Sequence, residues 1–242
     1  KIANYCYEHG EEVRVVGVPK TIDNDLPITD HCPGFGSAAK YIATTLMEVA
    51  ADAEVYPMKS VVIAEIMGRN AGWLTAAAAL TRELGGSYAP QLIYLPEAAF
   101  DPEQFVADVR RELELCNTVV VAVSEGVRLA DGSYVAESMQ SGQVDAFGHK
   151  YLAGVGKYLE RLTADRIGCK VRSLELSVMQ RAAAHLQSAT DLEEAVRAGE
   201  KAVEAMLRGD TRIMVAYRRI SDAPYRIAYE TAPLSEVANV EH

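Results

Sequence analysis

Two hydrophobic patterns alternate along this chain, and the alternation limits its fold more than any other feature. Continuous apolar, β-branched runs recur at residues 13–18, 60–66, 91–95, 118–123, 170–176 and 211–217. Such runs suit strands buried on both faces of a parallel sheet. Between them lie stretches of helical period: Ala38, Ala39, Ile42, Leu46 and Val49, then Trp73, Ala76, Ala77, Leu80 and Leu84. Phe105, Val109 and Leu113 follow, then Leu152, Val155, Leu159 and Leu162, and finally Leu192, Val196, Val203 and Leu207. A strand-helix alternation of this kind predicts an α/β, doubly wound architecture with mostly parallel sheets and right-handed crossovers.

With 242 residues the chain has room for one to two domains. No Pro/Ser-rich linker divides it and no repeat is evident, so a second lobe requires a chain that crosses between lobes more than once. The Gly/Asp-rich segment 131–148 is the longest expected loop. At the start, residues 2–9 followed by Gly10 read as the end of a helix with a glycine C-cap. Lys1 stands where an initiator Met is usual, so the chain is expected to be a piece of something longer.

Ligands of open α/β sheets bind beyond the carboxyl ends of the strands, and three of those positions carry chemistry here. After the first strand comes Pro19-Lys20-Thr21-Ile22-Asp23-Asn24-Asp25, two carboxylates that point the same way if the backbone is extended, beside a cation and a hydroxyl. The pair suits proton abstraction beside bound phosphate, and the same residues suit a polar turn with Asx hydrogen bonding. After the second strand, Met67-Gly68-Arg69-Asn70-Ala71-Gly72-Trp73 offers close backbone approach, an anion-facing helix start and a guanidinium that can fork onto phosphate. A third strand runs into Ser124-Glu125-Gly126; a fourth reaches Arg172, with Gln180 and Arg181 beyond. The segment 33–37 lacks the third glycine of a dinucleotide fingerprint and reads as a helix entry with Gly36 or Ser37 near the N-cap.

Composition excludes several alternatives. The chain carries 24 Lys+Arg against 34 Asp+Glu, a formal net charge of −10, which repels a nucleic-acid backbone. No apolar run reaches the ~18 residues of a membrane span. Cys6, Cys32, Cys116 and Cys169 match no zinc spacing and suggest reduced cytoplasmic thiols. The five histidines (His9, His31, His149, His185, His242) show no HExxH spacing, and no GxSxG elbow occurs.

Taken jointly, PKTIDND at 19–25, MGRNAGW at 67–73, SEG at 124–126 and Arg172 with Gln180-Arg181 resemble the phosphofructokinase family in order and spacing. The resemblance implies that family's two Rossmann-like lobes. Residues 1–34 and 185–232 correspond to a remnant of the phosphoryl-donor lobe and 35–184 to the fructose 6-phosphate lobe, with 233–242 returning to the latter. It also implies a phosphotransferase acting at O1 of fructose 6-phosphate in glycolysis, with Mg²⁺. The family's magnesium-binding GGD loop is absent from this sequence and is expected before Lys1, as the family's helical tail is after His242; the chain alone is therefore expected to be truncated and inactive.

By resemblance Asp23 is the base, flanked by Thr21, Ile22 and Asp25, and Arg69 stabilises the phosphoryl group in flight. Met67, Gly68 and Glu125 position the sugar. Arg172 and Arg181, with Val178, Met179 and Gln180, belong to the site of its 6-phosphate, one arginine reaching in from a neighbouring subunit of a homo-oligomer. Val178 stands where many members have His, and Ser60, beside Lys59, where many have an interface Arg. Lys20 is similar to the lysine of pyrophosphate-using members, where a well-known ATP-using group has Gly, so pyrophosphate is the expected donor. Some ATP users share PKTIDND, which keeps an ATP-dependent enzyme as the alternative. A non-catalytic fragment that binds sugar phosphate and assembles with other chains is a further one.

Overall fold

The longest apolar runs become the centre of a sheet. A computed structural model describes residues 2–85, 89–135 and 154–238. These divide into two units, Ala38–Leu186 and Lys1–Ser37 with Gln187–His242.

In the 38–186 unit, β2 (Ser60–Ile66) and β4 (Thr118–Ser124) are buried along their whole length. They pair in parallel, Ser60 with Thr118 through Ile66 with Ser124. β3 (Leu92–Tyr94) adds to β4 and β5 (Lys170–Glu175) to β2, giving the all-parallel order β3-β4-β2-β5. One face is filled by Val61, Ile63, Val119, Val121 and Val123 against Phe105, Val106, Val109 and Leu113 of α5 (Pro102–Leu115) and Val155 and Leu159 of α6 (Val155–Ile167). Asp101 starts α5 by accepting the Glu103 and Gln104 amides, with Pro102 at its first position. α2 (Phe35–Glu54) buries Ile42, Ala43, Leu46 and Ala50. The helix expected over 73–84 is broken into α3 (Trp73–Ala77), a 3₁₀ turn (Ala78–Leu80) and α4 (Thr81–Gly85).

β5 departs from the expected two-sided burial, with Lys170, Arg172, Leu174 and Glu175 exposed. Among the described residues it is an edge strand, with a neighbour only on the β2 side.

In the other unit, α1 (Ile2–Glu8) ends as expected at Gly10, which sits at φ +66°. Only Val16–Gly17 (β1) of the run 13–18 forms a strand, parallel to β6 (Ile213–Asp222). β6 turns into β7 (Tyr225–Pro233), an antiparallel hairpin partner that the search for continuous apolar runs misses. β7 is partly exposed, and a strand of that kind leaves no continuous run.

Pro233 pairs with Ile213, and Val237 of α9 (Leu234–Val237) packs against Met214 and Ala232. Residues 233–238 therefore lie with this unit, which corrects their expected return to the other lobe. α8 (Ala189–Arg208) forms where the helical period places it, but packs through a different face. Its large apolar stripe, Leu192, Val196, Val203 and Leu207, is 51–73% exposed, and the face on Val215 and Tyr217 is Ala198 and Ala202. Small side chains let the helix lie close to the sheet.

His149, Leu152, His242, the stretch 136–148 of the expected loop and residues 239–241 fall outside the described residues. No described helix is long and apolar enough to cross a membrane.

Candidate active site

In the 38–186 unit, two of the loaded strand ends meet at the carboxyl edge of the parallel sheet, with Gln180 beside them. The β2 chain leaves through Gly68 at φ +133°, where a Cβ would stand 2.5 Å from the Ala71 carbonyl oxygen. A Cβ on Gly126 would stand 1.9 Å from the Arg69 carbonyl oxygen, so both glycines are required by close backbone approach. Ser124 stitches the two turns together: its Oγ donates to the Gly68 carbonyl (2.5 Å) and accepts from the Gly126 N–H (3.1 Å). Glu125 Oε1 lies 3.4 Å from the Gly68 N–H, and Gln180 Oε1 lies 3.4 Å from the Met67 N–H. Gln180 is buried, on the short helix α7 (Met179–Ala182), and its amide also donates to the Ser177 carbonyl (3.0 Å).

Arg69 Nε is buried and has no hydrogen-bond partner among the described residues. A desolvated guanidinium donor left open at a sheet's carboxyl edge is suited to an anion. Val178, Met179 and Arg181 beside Gln180 are exposed.

Arg172 is not gathered with them. It pairs in register with Val62, four residues before Ile66, which is about 13 Å along a strand from the carboxyl edge. Its Nη1 stands 3.8 Å from Asp52 Oδ2, and it lines a cavity of about 350 Å³ with Lys170, Leu174, Val49 and Tyr56.

The sequence reading missed Glu65, the penultimate residue of β2. It is buried, and its carboxylate accepts the Gly154 (3.1 Å) and Gly156 (2.7 Å) amides at the start of α6, capping that helix from the sheet. Burial pushes its carboxyl above the usual range, in spite of those bonds.

In the other unit, Lys20 is exposed after a buried Pro19, and Thr21 Oγ1 accepts the Asp23 N–H at 3.1 Å. The backbone is not extended through the acidic pair: Asn24, between Asp23 and Asp25, is left-handed at φ +59°. Of the two readings of this segment, the extended one with parallel carboxylates fails and the polar turn holds, because a left-handed residue turns the chain. Asn is among the few residues that tolerate this conformation, and it is buried here, with Oδ1 accepting the Cys32 N–H at 2.8 Å. Burial first, then the nearby Asp25 and Asp23 carboxylates, push the Cys32 thiol up to about 12, which makes it inert. The entry to α2 is also revised. The helix begins at Phe35, and Asp191 of α8 caps it by accepting the Gly34 (2.7 Å) and Ser37 (3.2 Å) amides. Ser37 Oγ itself donates to Asp191.

Residues 1–206 match the family model described as phosphofructokinase. Over its full length the chain is 45% identical to a pyrophosphate–fructose 6-phosphate 1-phosphotransferase of Xanthomonas campestris pv. campestris and 44% identical to one of Halomonas elongata, covering 57% of each. It superposes on the crystal structure of a pyrophosphate-dependent phosphofructokinase from Marinobacter aquaeolei with a TM-score of 0.84 at 36% identity, covering 99% of this chain and 56% of that one. The chain thus spans a little over half the length of these relatives.

Proposed function

The chain belongs to the phosphofructokinase family, and from that premise we propose that the protein transfers a phosphoryl group from pyrophosphate to O1 of fructose 6-phosphate, giving fructose 1,6-bisphosphate and phosphate. The observation that carries this reading is the open, buried Arg69 Nε beside the turns bearing Met67, Gly68 and Glu125. The names of the relatives point the same way.

In this reading the O1 hydroxyl attacks the terminal phosphorus and its proton passes to Asp23. The bond to the bridging oxygen breaks, and the electron pair leaves with phosphate. Arg69 stabilises the charge on the transferring group, where electrostatics and positioning supply most of the acceleration. Met67, Gly68 and Glu125 orient the sugar hydroxyls, Thr21, Ile22 and Asp25 flank the base, and Val178, Met179, Gln180 and Arg181 attend the 6-phosphate. Arg172, removed from that edge, serves the 6-phosphate of a second copy, so a homo-oligomer is part of the proposal. No three His, Cys, Asp or Glu side chains gather into a metal cluster among the described residues. The Mg²⁺ that the family implies is therefore given no ligands here, and the steps above involve side chains alone. The reading makes the protein a cytoplasmic enzyme of glycolysis, in keeping with four free thiols.

Lys20 sets the donor: its compact ammonium meets pyrophosphate oxygens and occupies volume that a nucleotide α-phosphate needs. Assay of the intact protein with both donors tests this. Turnover with pyrophosphate is expected, lowered in Lys20→Gly by the ~1.5–3 kcal/mol of a charge-assisted bond. Turnover with ATP and none with pyrophosphate overturns it.

A further inference from the structure

Asp23 sits on an irregular segment, so something other than a strand or helix must hold it in place. The holding groups form a continuous chain of buried contacts. Asn24, next to Asp23, accepts the Cys32 N–H through its side chain and so closes residues 24–32 into a ring. His31, the residue before that amide, is buried between two carboxylates: Nδ1 is 2.8 Å from Asp30 Oδ2 and Nε2 is 2.7 Å from Glu194 Oε2. Glu194 belongs to α8 and is itself buried, and its other oxygen accepts the Tyr225 hydroxyl at 2.7 Å.

The described groups set against His31 belong to the same arrangement. The Tyr225 hydroxyl stands 3.5 Å from Nε2, the Tyr217 ring is tilted against the imidazole at 4.9 Å, and Arg219 holds Asp30 through 2.9 and 3.1 Å bonds. Thr29 Oγ1 donates to the His31 carbonyl (2.8 Å) and accepts the Tyr217 N–H (2.9 Å).

The ring needs such anchors because its backbone is not self-supporting. Asn24 is left-handed, and Ile28, a β-branched residue, stands at φ +72° with its side chain exposed. Positive φ at a β-branched residue costs free energy and persists only where surrounding contacts impose it.

We propose that Glu194 is a positioning residue for Asp23, acting through His31, the Cys32 amide and Asn24. The inference rests on the reading of Asp23 as the base, and its test separates the two. In Glu194→Ala, with Glu194→Gln as the milder variant if the first folds poorly, two readouts are taken in the intact protein. Amide exchange at Cys32 is expected to accelerate at least about tenfold as the ring opens. The kcat for pyrophosphate-dependent turnover is expected to fall about ten- to hundredfold, the effect of a small misplacement of a reacting group. KM for fructose 6-phosphate should stay unchanged. Val215→Ala, a core change in the same unit, serves as the control matched for loss of melting temperature; it should alter neither readout.

Unchanged Cys32 exchange in the Glu194 variants overturns the proposal, as does an equal loss of kcat in the control. Should Asp23→Ser retain its turnover, the base assignment falls, while Cys32 exchange still decides whether Glu194 holds the ring.

Discussion

The two units support their chemical groups by opposite means. In the 38–186 unit, the Met67–Gly68 and Glu125–Gly126 turns are continuations of two buried parallel strands, locked by backbone contacts that only glycine permits. In the other unit, Asp23 lies outside any strand or helix and its segment is held by buried side chains, Asn24, Thr29 and His31 among them. The first arrangement derives its rigidity from the sheet and the second from polar pairs. Changes in a strand-supported turn should therefore act on stability as well as activity, and changes in the Asp23 segment chiefly on activity.

The largest expected effect sharpens that contrast. Asp23→Ser in the intact protein should lower kcat by roughly 10²–10⁴, the range for lost general-base assistance, with KM for fructose 6-phosphate little changed. Thermal unfolding should move little, since the segment is a loop. A fall in melting temperature as large as that of a core deletion would break the comparison.

A smaller effect separates the two cores. Phe105→Ala empties a fully buried position between α5 and the parallel sheet and should cost about 3–5 kcal/mol in chemical denaturation. Ala202→Gly, on the face that α8 presents to Val215 and Tyr217, should cost only about 1 kcal/mol, the difference in helix propensity. Equal costs would mean that the alanine face carries more of its unit's stability than its small side chains can supply.

The same contrast decides what could be read from the sequence. Parallel strands buried on both faces leave continuous apolar runs, so β2 was legible to the residue and β4 to within one. The turns that continue them bring Met67, Gly68 and Glu125 together beside Gln180. The edge strand β5 and the hairpin strand β7 are partly exposed and were misjudged or missed. The large stripe of α8 identifies the helix but not its packed face, because hydrophobic periodicity does not say which face its neighbours cover. His31 and Glu194 stand 163 residues apart, and neither belongs to a local motif. Glu65 was hidden for a related reason, a carboxylate inside an apolar run whose partners are backbone amides of a distant helix start. The left-handed turn at Asn24 had a signal, the tolerance of Asn for positive φ, and it belongs with the polar-turn alternative, which spacing alone does not separate from an extended reading of Asp23 and Asp25.

The smallest predicted effect is in pH dependence, where the two units should respond with opposite sign. Burial raises the Glu65 carboxyl above its ordinary 4.5, so the folded unit holds that proton more tightly than the unfolded chain does. Stability of the 38–186 unit should therefore increase as pH falls from the raised value toward 4.5, and level off below it. Asp30 behaves in the reverse sense: the Arg219 guanidinium bonded to it holds its carboxyl below the ordinary 3.8. Its contribution is complete above 3.8 and disappears as pH falls through the lowered value, so the unit containing the Asp23 segment should weaken at the acid end. Trp73, the one tryptophan in the sequence, lies in the 38–186 unit and reports its unfolding by fluorescence, and amide exchange at Tyr217 reports the other. Denaturant midpoints followed with these two probes from neutral to acid pH should diverge, the fluorescence midpoint rising first and the Tyr217 protection falling later. In Glu65→Leu, which removes the titrating group, the rise should vanish while the acid loss at Tyr217 persists. Parallel loss at both probes, with no rise in the fluorescence midpoint, would show that the cap on α6 keeps the Glu65 carboxylate charged in spite of its burial.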